Sequence, residues 1–454
     1  MGFFKAYDMR GTFGADFGLD TVYRVGRELP GVIGAKKFLI GRDCRSTSPA
    51  IAATLKKGLA EAGAEVTDLG LATTPMVYFF TAEDDFDASV MITASHNPPT
   101  DNGLKVSKRG ALPVGYESGL AEVERRVMDD REGTAATEGT LATEGTDAQR
   151  LRRYIERLRV LAGRDGSPSR PLDLKFAVDC SDGMASILAH ELFPGAVFIN
   201  DVPDGAFPHH SPNPLLAASR EQLAAVVREQ GLDCGVIFDG DADRCMFVDE
   251  KGAFIQPDYL IPVLASTYYE PGATVIHDVR TSRAAIEAIR AQGATPVIGK
   301  VGHAYAKVLL REVKAVCGGE LAGHYYFRDF PGCDSGELAA LRILGAFAEA
   351  KARGLTVSAF MAPLLGKYAN SGEVNFKVEN KPAAIARVLE AAKELAPEIG
   401  RTTIDGYRLE YDAGWVSVRQ SNTEPYLRLI VECDTRARLD DWLSRLTDAI
   451  ENKK

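Results

Sequence analysis

Asp239-Gly240-Asp241-Ala242-Asp243 sets three carboxylates at alternate positions, with Arg244 directly after them. Carboxylates held this close repel unless a cation balances them, and their hard oxygens suit Mg²⁺ or Ca²⁺. A helix–loop–helix calcium site is the obvious competitor, since Glu250 falls at loop position 12. It fails on Arg244, which stands where such a loop needs glycine, and on the apolar run 245–248, which reads as strand and not helix. A solvated acidic turn is the other alternative. Arg244 beside the trio is suited to hold a phosphate.

Thr93-Ala94-Ser95-His96-Asn97-Pro98-Pro99 holds a serine between an apolar strand and two prolines. Proline stops the backbone from continuing as helix, so the Ser95 hydroxyl sits on a rigid loop, as a nucleophile or phosphoryl carrier requires. A turn in which Ser and Asn bond their own backbone is the competing reading. The surroundings lack the glycines of an acyl-hydrolase elbow. Gly318-Gly319-Glu320-Leu321-Ala322-Gly323-His324 combines close backbone approach with a carboxylate and an imidazole, which suits hydrogen bonding to sugar hydroxyls; a strand-end turn with a surface Glu would look the same. Arg419-Gln420-Ser421-Asn422-Thr423-Glu424-Pro425, with Arg428 beyond, offers the guanidinium, hydroxyls and amides of a phosphate nest, or else a polar hairpin loop. Lys105 is a candidate to donate or accept a proton or to neutralise phosphate, Arg10 lies early enough to reach the cleft, His303 is a candidate for contact with a ligand, and Arg280 ends a strand where it could add a cation.

These loops need strands to hold them. Apolar runs ending in Asp recur at 38–43, 176–179 and 274–278, each followed by a helical pattern. Each unit then offers a second apolar run, 89–92, 235–238 and 314–317, that leads into the Ser95, Asp239 or Glu320 loop. Continuous apolar strands alternating with helices predict mostly parallel sheets, with ligands bound beyond the carboxyl ends of the strands. Three α/β units could thus surround one cleft. From about residue 368 the pattern changes to an α+β cap, with strands at 372–378, 415–419 and 427–433, a helix from Asn380 with Pro382 in its first turn, and a final helix over 439–450. The segment 129–146, rich in Glu, Gly, Thr and Ala, reads as an exposed connection.

With 454 residues the chain needs several domains. A net charge of -10 argues against nucleic acid or an anionic membrane as partner. Seven scattered cysteines without a metal-binding pair predict free thiols in a reducing compartment. The charged N-terminus and the absence of a long apolar run give a cytoplasmic expectation.

Taken together and in order, Tyr7-Asp8-Met9-Arg10-Gly11, the Ser95 loop, Asp101–Lys105, Asp204-Gly205-Ala206-Phe207-Pro208, the Asp239 loop, Gly302-His303, the Glu320 loop and the Arg419 loop resemble the α-D-phosphohexomutase family, bacterial phosphomannomutase/phosphoglucomutase type. The resemblance spans essentially the whole chain. It implies three similar mixed α/β domains, with mostly parallel sheets, and a C-terminal α+β cap around a central cleft, divided as 1–145, 146–250, 251–367 and 368–454. It implies a phosphorylated Ser95 and one Mg²⁺ held by Ser95, Asp239, Asp241 and Asp243. A hexose 1,6-bisphosphate would be intermediate and activator. Lys105, Arg10 and His303 would be catalytic. Tyr7, His96, Arg244, Arg280, Glu320, His324, Arg419, Ser421, Asn422, Thr423 and Arg428 would bind a hexose phosphate, with oligomeric state open between monomer and dimer. Ala322 replaces the family's usual Ser and Val301 its common Thr, which bears on sugar preference. The run His324-Tyr325-Tyr326-Phe327-Arg328-Asp329-Phe330 with Cys333-Asp334-Ser335-Gly336 resembles phosphomannomutases more than phosphoglucosamine mutases, which favours mannose phosphates, with glucose phosphates accepted; a phosphoglucosamine mutase is the alternative, and a non-catalytic sugar-phosphate binder a more distant one.

Overall fold

The computed structural model describes residues 2–129, 141–144, 148–163, 173–268, 270–421 and 426–452. Four sheets organise them. The first runs Met9–Thr12, Asp101–Lys108, Ala88–Ile92, Lys37–Arg42, Glu65–Leu71, Leu141–Glu144, with Leu112–Pro113 paired to Asp101–Lys108. The second runs Phe254–Ile255, Cys245–Asp249, Cys234–Phe238, Phe176–Asp179, Val197–Ile199. The third runs Thr295–Gly299, Thr274–Asp278, Cys317–Gly319, Tyr325–Phe327, Cys333–Asp334.

The threefold echo of the sequence is a repeat of topology. Ala88–Ile92, Cys234–Phe238 and Cys317–Gly319 each lie parallel to the preceding Asp-terminated strand and antiparallel to the strand that follows. All three are buried along their length, which is why they read as unbroken apolar or glycine runs. The sheets are therefore mixed, where mostly parallel ones were expected. The cause is loop length: a connection of five to eight residues can only return a strand antiparallel, because a parallel return needs a crossover of a dozen or more. The third strand also starts later than the expected 314–317. Lys314 adopts φ 52° just beyond the helix His303–Glu312, so strand geometry begins only at Cys317.

The helix Thr74–Glu83 lies at the centre of the assembly, and its residues from Thr74 to Thr81 are all buried. Its Met76, Val77 and Phe80 share one hydrophobic cluster with Phe238, Phe247, Tyr325 and Leu344, so a continuous core ties the first three sheets together. On the far face of the first sheet the helices Leu19–Ile33 and Ser48–Glu61 cross at glycines: a Cβ on Gly58 would lie 2.4 Å from the Tyr23 carbonyl. Of the expected connection 129–146, residues 130–140 and 145–146 lie outside the described residues, and Leu141–Glu144 is a strand parallel to Glu65–Leu71.

The C-terminal sheet is antiparallel throughout its described strands and has its own core, built from Leu409, Val416, Leu429, Trp442 and Leu446. Two of its strands, Glu398–Thr402 and Tyr407–Tyr411, were not anticipated; the first is solvated on most positions and carries no apolar alternation. The helix Lys381–Ala392 starts where expected, with Asn380 Oδ1 accepting from the Ala383 amide at 3.0 Å. Two arginines dock this domain on the third. Arg408 stacks 3.8 Å over Trp415 and donates to the Val279 and Thr281 carbonyls at 2.8 and 2.7 Å, while Arg283 donates to the Tyr411 and Gly414 carbonyls at 2.6 and 2.9 Å.

Candidate active site

Ser95 ends the strand Ala88–Ile92 after a two-residue step and adopts φ 51°, a left-handed conformation that turns its side chain sharply out of the sheet. Its own amide donates to Thr93 Oγ1 at 2.8 Å. The rest of the loop is held by Arg45, which is completely buried. Its guanidinium donates to the carbonyls of Ser95 (2.9 Å), Asn97 (2.7 Å), Pro98 (2.5 Å) and Asp101 (3.0 Å), and its Nε donates to Asp43 at 3.0 Å. Sequence reading missed Arg45. The signal was there: Asp43-Cys44-Arg45 repeats Asp278-Val279-Arg280 at the equivalent strand end, and Arg280 likewise pairs with its own Asp278 at 2.6 Å.

Ser95 Oγ donates to Asp239 Oδ2 at 2.7 Å. The two loops touch at backbone level, since a Cβ on Gly240 would lie 2.5 Å from the Ser95 carbonyl. Asp239, Asp241 and Asp243 are fully buried and present ligand oxygens within 4.8 Å of one another. Lys105 Nζ donates to Asp241 Oδ2 and Asp243 Oδ2, both at 2.6 Å, and Thr74 Oγ1, at the start of the central helix, donates to Asp241 at 2.6 Å. Burial, then repulsion from Asp241, raises the Asp239 carboxyl well above its ordinary value. Burial opposes the charge on Lys105, but Asp241 and Asp243 outweigh it and raise the ammonium's pKa. Two buried oxygens, Asp241 Oδ1 and Asp243 Oδ1, have no hydrogen-bond partner. Buried anionic oxygens without a partner cost free energy, and a small hard divalent cation is the species that such a trio accommodates.

The Glu320 loop closes over the trio from the third sheet. The Cys245 amide donates to the Gly323 carbonyl at 3.3 Å, and the Gly336 amide to the Ala242 carbonyl at 3.1 Å. Glu320 Oε1 accepts from Tyr326 Oη at 2.8 Å and from the Gly302 amide at 3.2 Å, and burial raises its carboxyl. Arg244 Nε donates to His324 Nε2 at 2.9 Å, so that ring nitrogen carries a lone pair; His324 Nδ1 lies 2.8 Å from Asp334 Oδ2. Asp334 also pairs with the buried Lys307 at 2.8 Å. The His303 ring packs edge-on against Tyr7, and burial, then Lys307, holds its pKa well below the ordinary value. Burial pushes Tyr7 up to about 12. His96, 3.3 Å from Ser95 Oγ, is also lowered by burial and then by Arg244. Arg10 pairs with Asp8 at 2.6 Å and reaches Asn97 at 3.3 Å.

A cleft of about 720 Å³ lies beside these groups, lined among others by Tyr7, Arg10, Lys105, Glu320, His324 and Arg428. His96, Arg244, Arg280 and His303 also line it. Arg419 and Arg428 lie opposite one another on neighbouring antiparallel strands and both grasp Glu373, at 3.0 and 2.7 Å. Ser421 follows, its amide donating to the Tyr426 carbonyl at 2.9 Å. Asn422 and Thr423 lie outside the described residues. Beside Arg419, Asp405 accepts from the Val301 amide at 3.0 Å, which joins the cap to the loop after the strand Thr295–Gly299. Thr74, Lys307, Asp334, Glu373 and Asp405 join Arg45 as site or supporting residues that the sequence reading did not name.

Four models of one family match the chain in order: phosphoglucomutase/phosphomannomutase α/β/α domains I, II and III over residues 1–133, 152–252 and 256–368, and the C-terminal domain over 373–449. The chain belongs to the phosphoglucomutase/phosphomannomutase family. Among curated relatives of this family it is 37% identical over 455 residues to "phosphohexose mutases" of Xanthomonas campestris, covering 99% of this chain and 98% of that one. It is 36% identical over 443 residues to a phosphomannomutase of Salmonella montevideo, covering 94% of each. A crystal structure of a phosphoglucomutase/phosphomannomutase family protein from Burkholderia thailandensis matches with a TM-score of 0.86 and 30% identity, over 99% of this chain and 97% of that one. The chain is thus a phosphohexomutase, an isomerase that carries the acidic metal-binding cluster, and no described helix is long and apolar enough to cross a membrane.

Proposed function

We propose that this phosphohexomutase interconverts mannose 1-phosphate and mannose 6-phosphate, also accepts the glucose phosphates, and works through a phosphoserine at Ser95. The observation that carries the reading is the 2.7 Å hydrogen bond from Ser95 Oγ to Asp239, beside a cleft whose lining includes His96 and Lys105 next to that pair and Arg428 with Glu373 from the cap. A reacting centre and a remote anion grip then face the same bound sugar, as a mutase needs when it must seat either phosphate in either place.

In this scheme phosphoserine passes its phosphoryl group to the free 1- or 6-hydroxyl of the sugar. The O–P bond to Ser95 breaks as the bond to the sugar oxygen forms, giving a hexose 1,6-bisphosphate. After reorientation, Ser95 Oγ takes the other phosphoryl group. Mg²⁺, held by Asp239, Asp241, Asp243 and the Ser95 side chain, would supply charge neutralisation for the phosphoryl group. Lys105, pinned by two carboxylates and held protonated, serves charge balance and not proton transfer. His324, whose Nε2 accepts from Arg244 Nε and whose Nδ1 lies 2.8 Å from Asp334, positions Arg244 beside the transfer site. Arg10 and Arg244 flank the transfer site, His303 stays neutral beside Tyr7, and Glu320 reads hydroxyls common to both orientations.

The test is turnover of mannose 1-phosphate, glucose 1-phosphate and glucosamine 1-phosphate with Mg²⁺ and a trace of glucose 1,6-bisphosphate. Mannose phosphate should have the highest kcat/KM; preference for the amino sugar, or release of free phosphate at the rate of turnover, would overturn the assignment.

A further inference from the structure

The cap's two arginines are not alone. Glu373 sits between them, with Oε2 3.0 Å from Arg419 and Oε1 2.7 Å from Arg428, and Arg280 of the third domain approaches Oε2 at 3.6 Å. The carboxylate lies in the cleft lining and its side chain is 16% exposed. Burial works against its charge, yet Arg280, then Arg419, hold its carboxyl below the ordinary value. Its place is set by the chain. Gly372, at φ 65°, donates to Asn370 Oδ1 at 2.7 Å and turns the backbone into the strand Val374–Lys377, whose Asn375 pairs in register with Arg428.

We propose that Glu373 is a tethered counter-anion of the phosphate grip, which a substrate phosphate must displace to reach Arg419 and Arg428. The inference rests on the reading of those arginines as that grip. Three guanidiniums this close in a largely buried wall would repel without an anion between them. Glu373 removes that repulsion in the free protein and keeps the donors aimed at one point. A phosphate ester brings two negative charges and three acceptor oxygens to the same donors. Two anions cannot share them, since like charges in contact cost several kcal/mol. The carboxylate has solvent on one side and three rotatable bonds, so it can yield. A dianion gains enough from the paired guanidiniums to displace a single charge; a monoanion gains little by replacing one carboxylate with another. The grip thereby discriminates by charge.

The experiment compares mannose 6-phosphate with mannose 6-sulfate, a monoanion of similar shape, as equilibrium ligands of wild type, E373Q, E373A and R419M. Both Glu373 variants should bind the sulfate about tenfold more tightly than wild type and the phosphate at least as tightly, so the gap between the two ligands narrows. Melting curves confirm that the variants are folded. Weaker or unchanged binding of both ligands in E373Q and E373A, with R419M weakened, would make Glu373 a fixed brace and end the counter-anion proposal while leaving the grip intact. Unchanged binding in R419M would instead remove the grip itself.

Discussion

Ser95 Oγ donates a 2.7 Å hydrogen bond to Asp239 Oδ2 across 144 residues of chain. One loop ends a strand of the first sheet and the other a strand of the second, and the contact exists because Gly240 admits the Ser95 carbonyl against its Cα. S95A keeps the fold, since Oγ has only Asp239 and His96 as partners. Its turnover should fall by on the order of 10³-fold or more, as expected when a covalent carrier is removed, and intact-protein mass should lose the phosphorylated species. Wild-type rates in S95A would exclude the carrier.

Metal removal should act on stability as well as rate. Asp241 Oδ1 and Asp243 Oδ1 are buried without hydrogen-bond partners, so a divalent cation has oxygens ready to accept it. Mg²⁺ at a hundred times its dissociation constant should stabilise the protein by about 3 kcal/mol, seen as a raised melting midpoint that EDTA reverses. D241N should lose most of that response. A midpoint indifferent to Mg²⁺ in the wild type would argue against the site.

Arg45 clamps the serine loop, so R45M should lose more than a charge. It strands the buried Asp43 and leaves four carbonyls short of a donor, at a cost of about 3–5 kcal/mol. R45K should recover little, because an ammonium cannot replace the planar fork. Melting midpoint and kcat should fall together in both variants.

Glu337 offers a pH test. Burial raises its carboxyl from 4.5 to about 7, and its Oε1 has no partner. The folded state therefore holds a proton that the unfolded chain releases. Stability is full below pH 4.5, falls as pH rises towards 7, and is flat above. The fall is about 3 kcal/mol at 1.36 kcal/mol per unit. E337Q should flatten the melting-midpoint profile over this window; Asp258, also raised by burial to about 7, should keep a residual slope. An unchanged profile in E337Q would show that Glu337 titrates normally.

The serine loop, the aspartate trio, the Glu320 loop and the cap arginines could be picked out by residue type and spacing, because each is local: its chemistry is written in a few consecutive side chains at the end of an apolar strand. Strand and helix type followed from the same short-range patterns, down to the Asn380 cap. Which strands turn back antiparallel was less visible, because that depends on how a short loop closes in space. Arg45, Lys307, Asp334 and Glu373 were invisible for a related reason. A buried charge on its own reads as an ordinary surface residue. Arg45 acquires meaning from carbonyls about 50 residues away, and Glu373 from Arg419, Arg428 and Arg280, up to 93 positions distant. Long-range pairing of this kind arises only when three sheets share a core around the helix Thr74–Glu83 and a fourth closes over them, since desolvation and Coulomb attraction act between groups that packing, not sequence proximity, brings together.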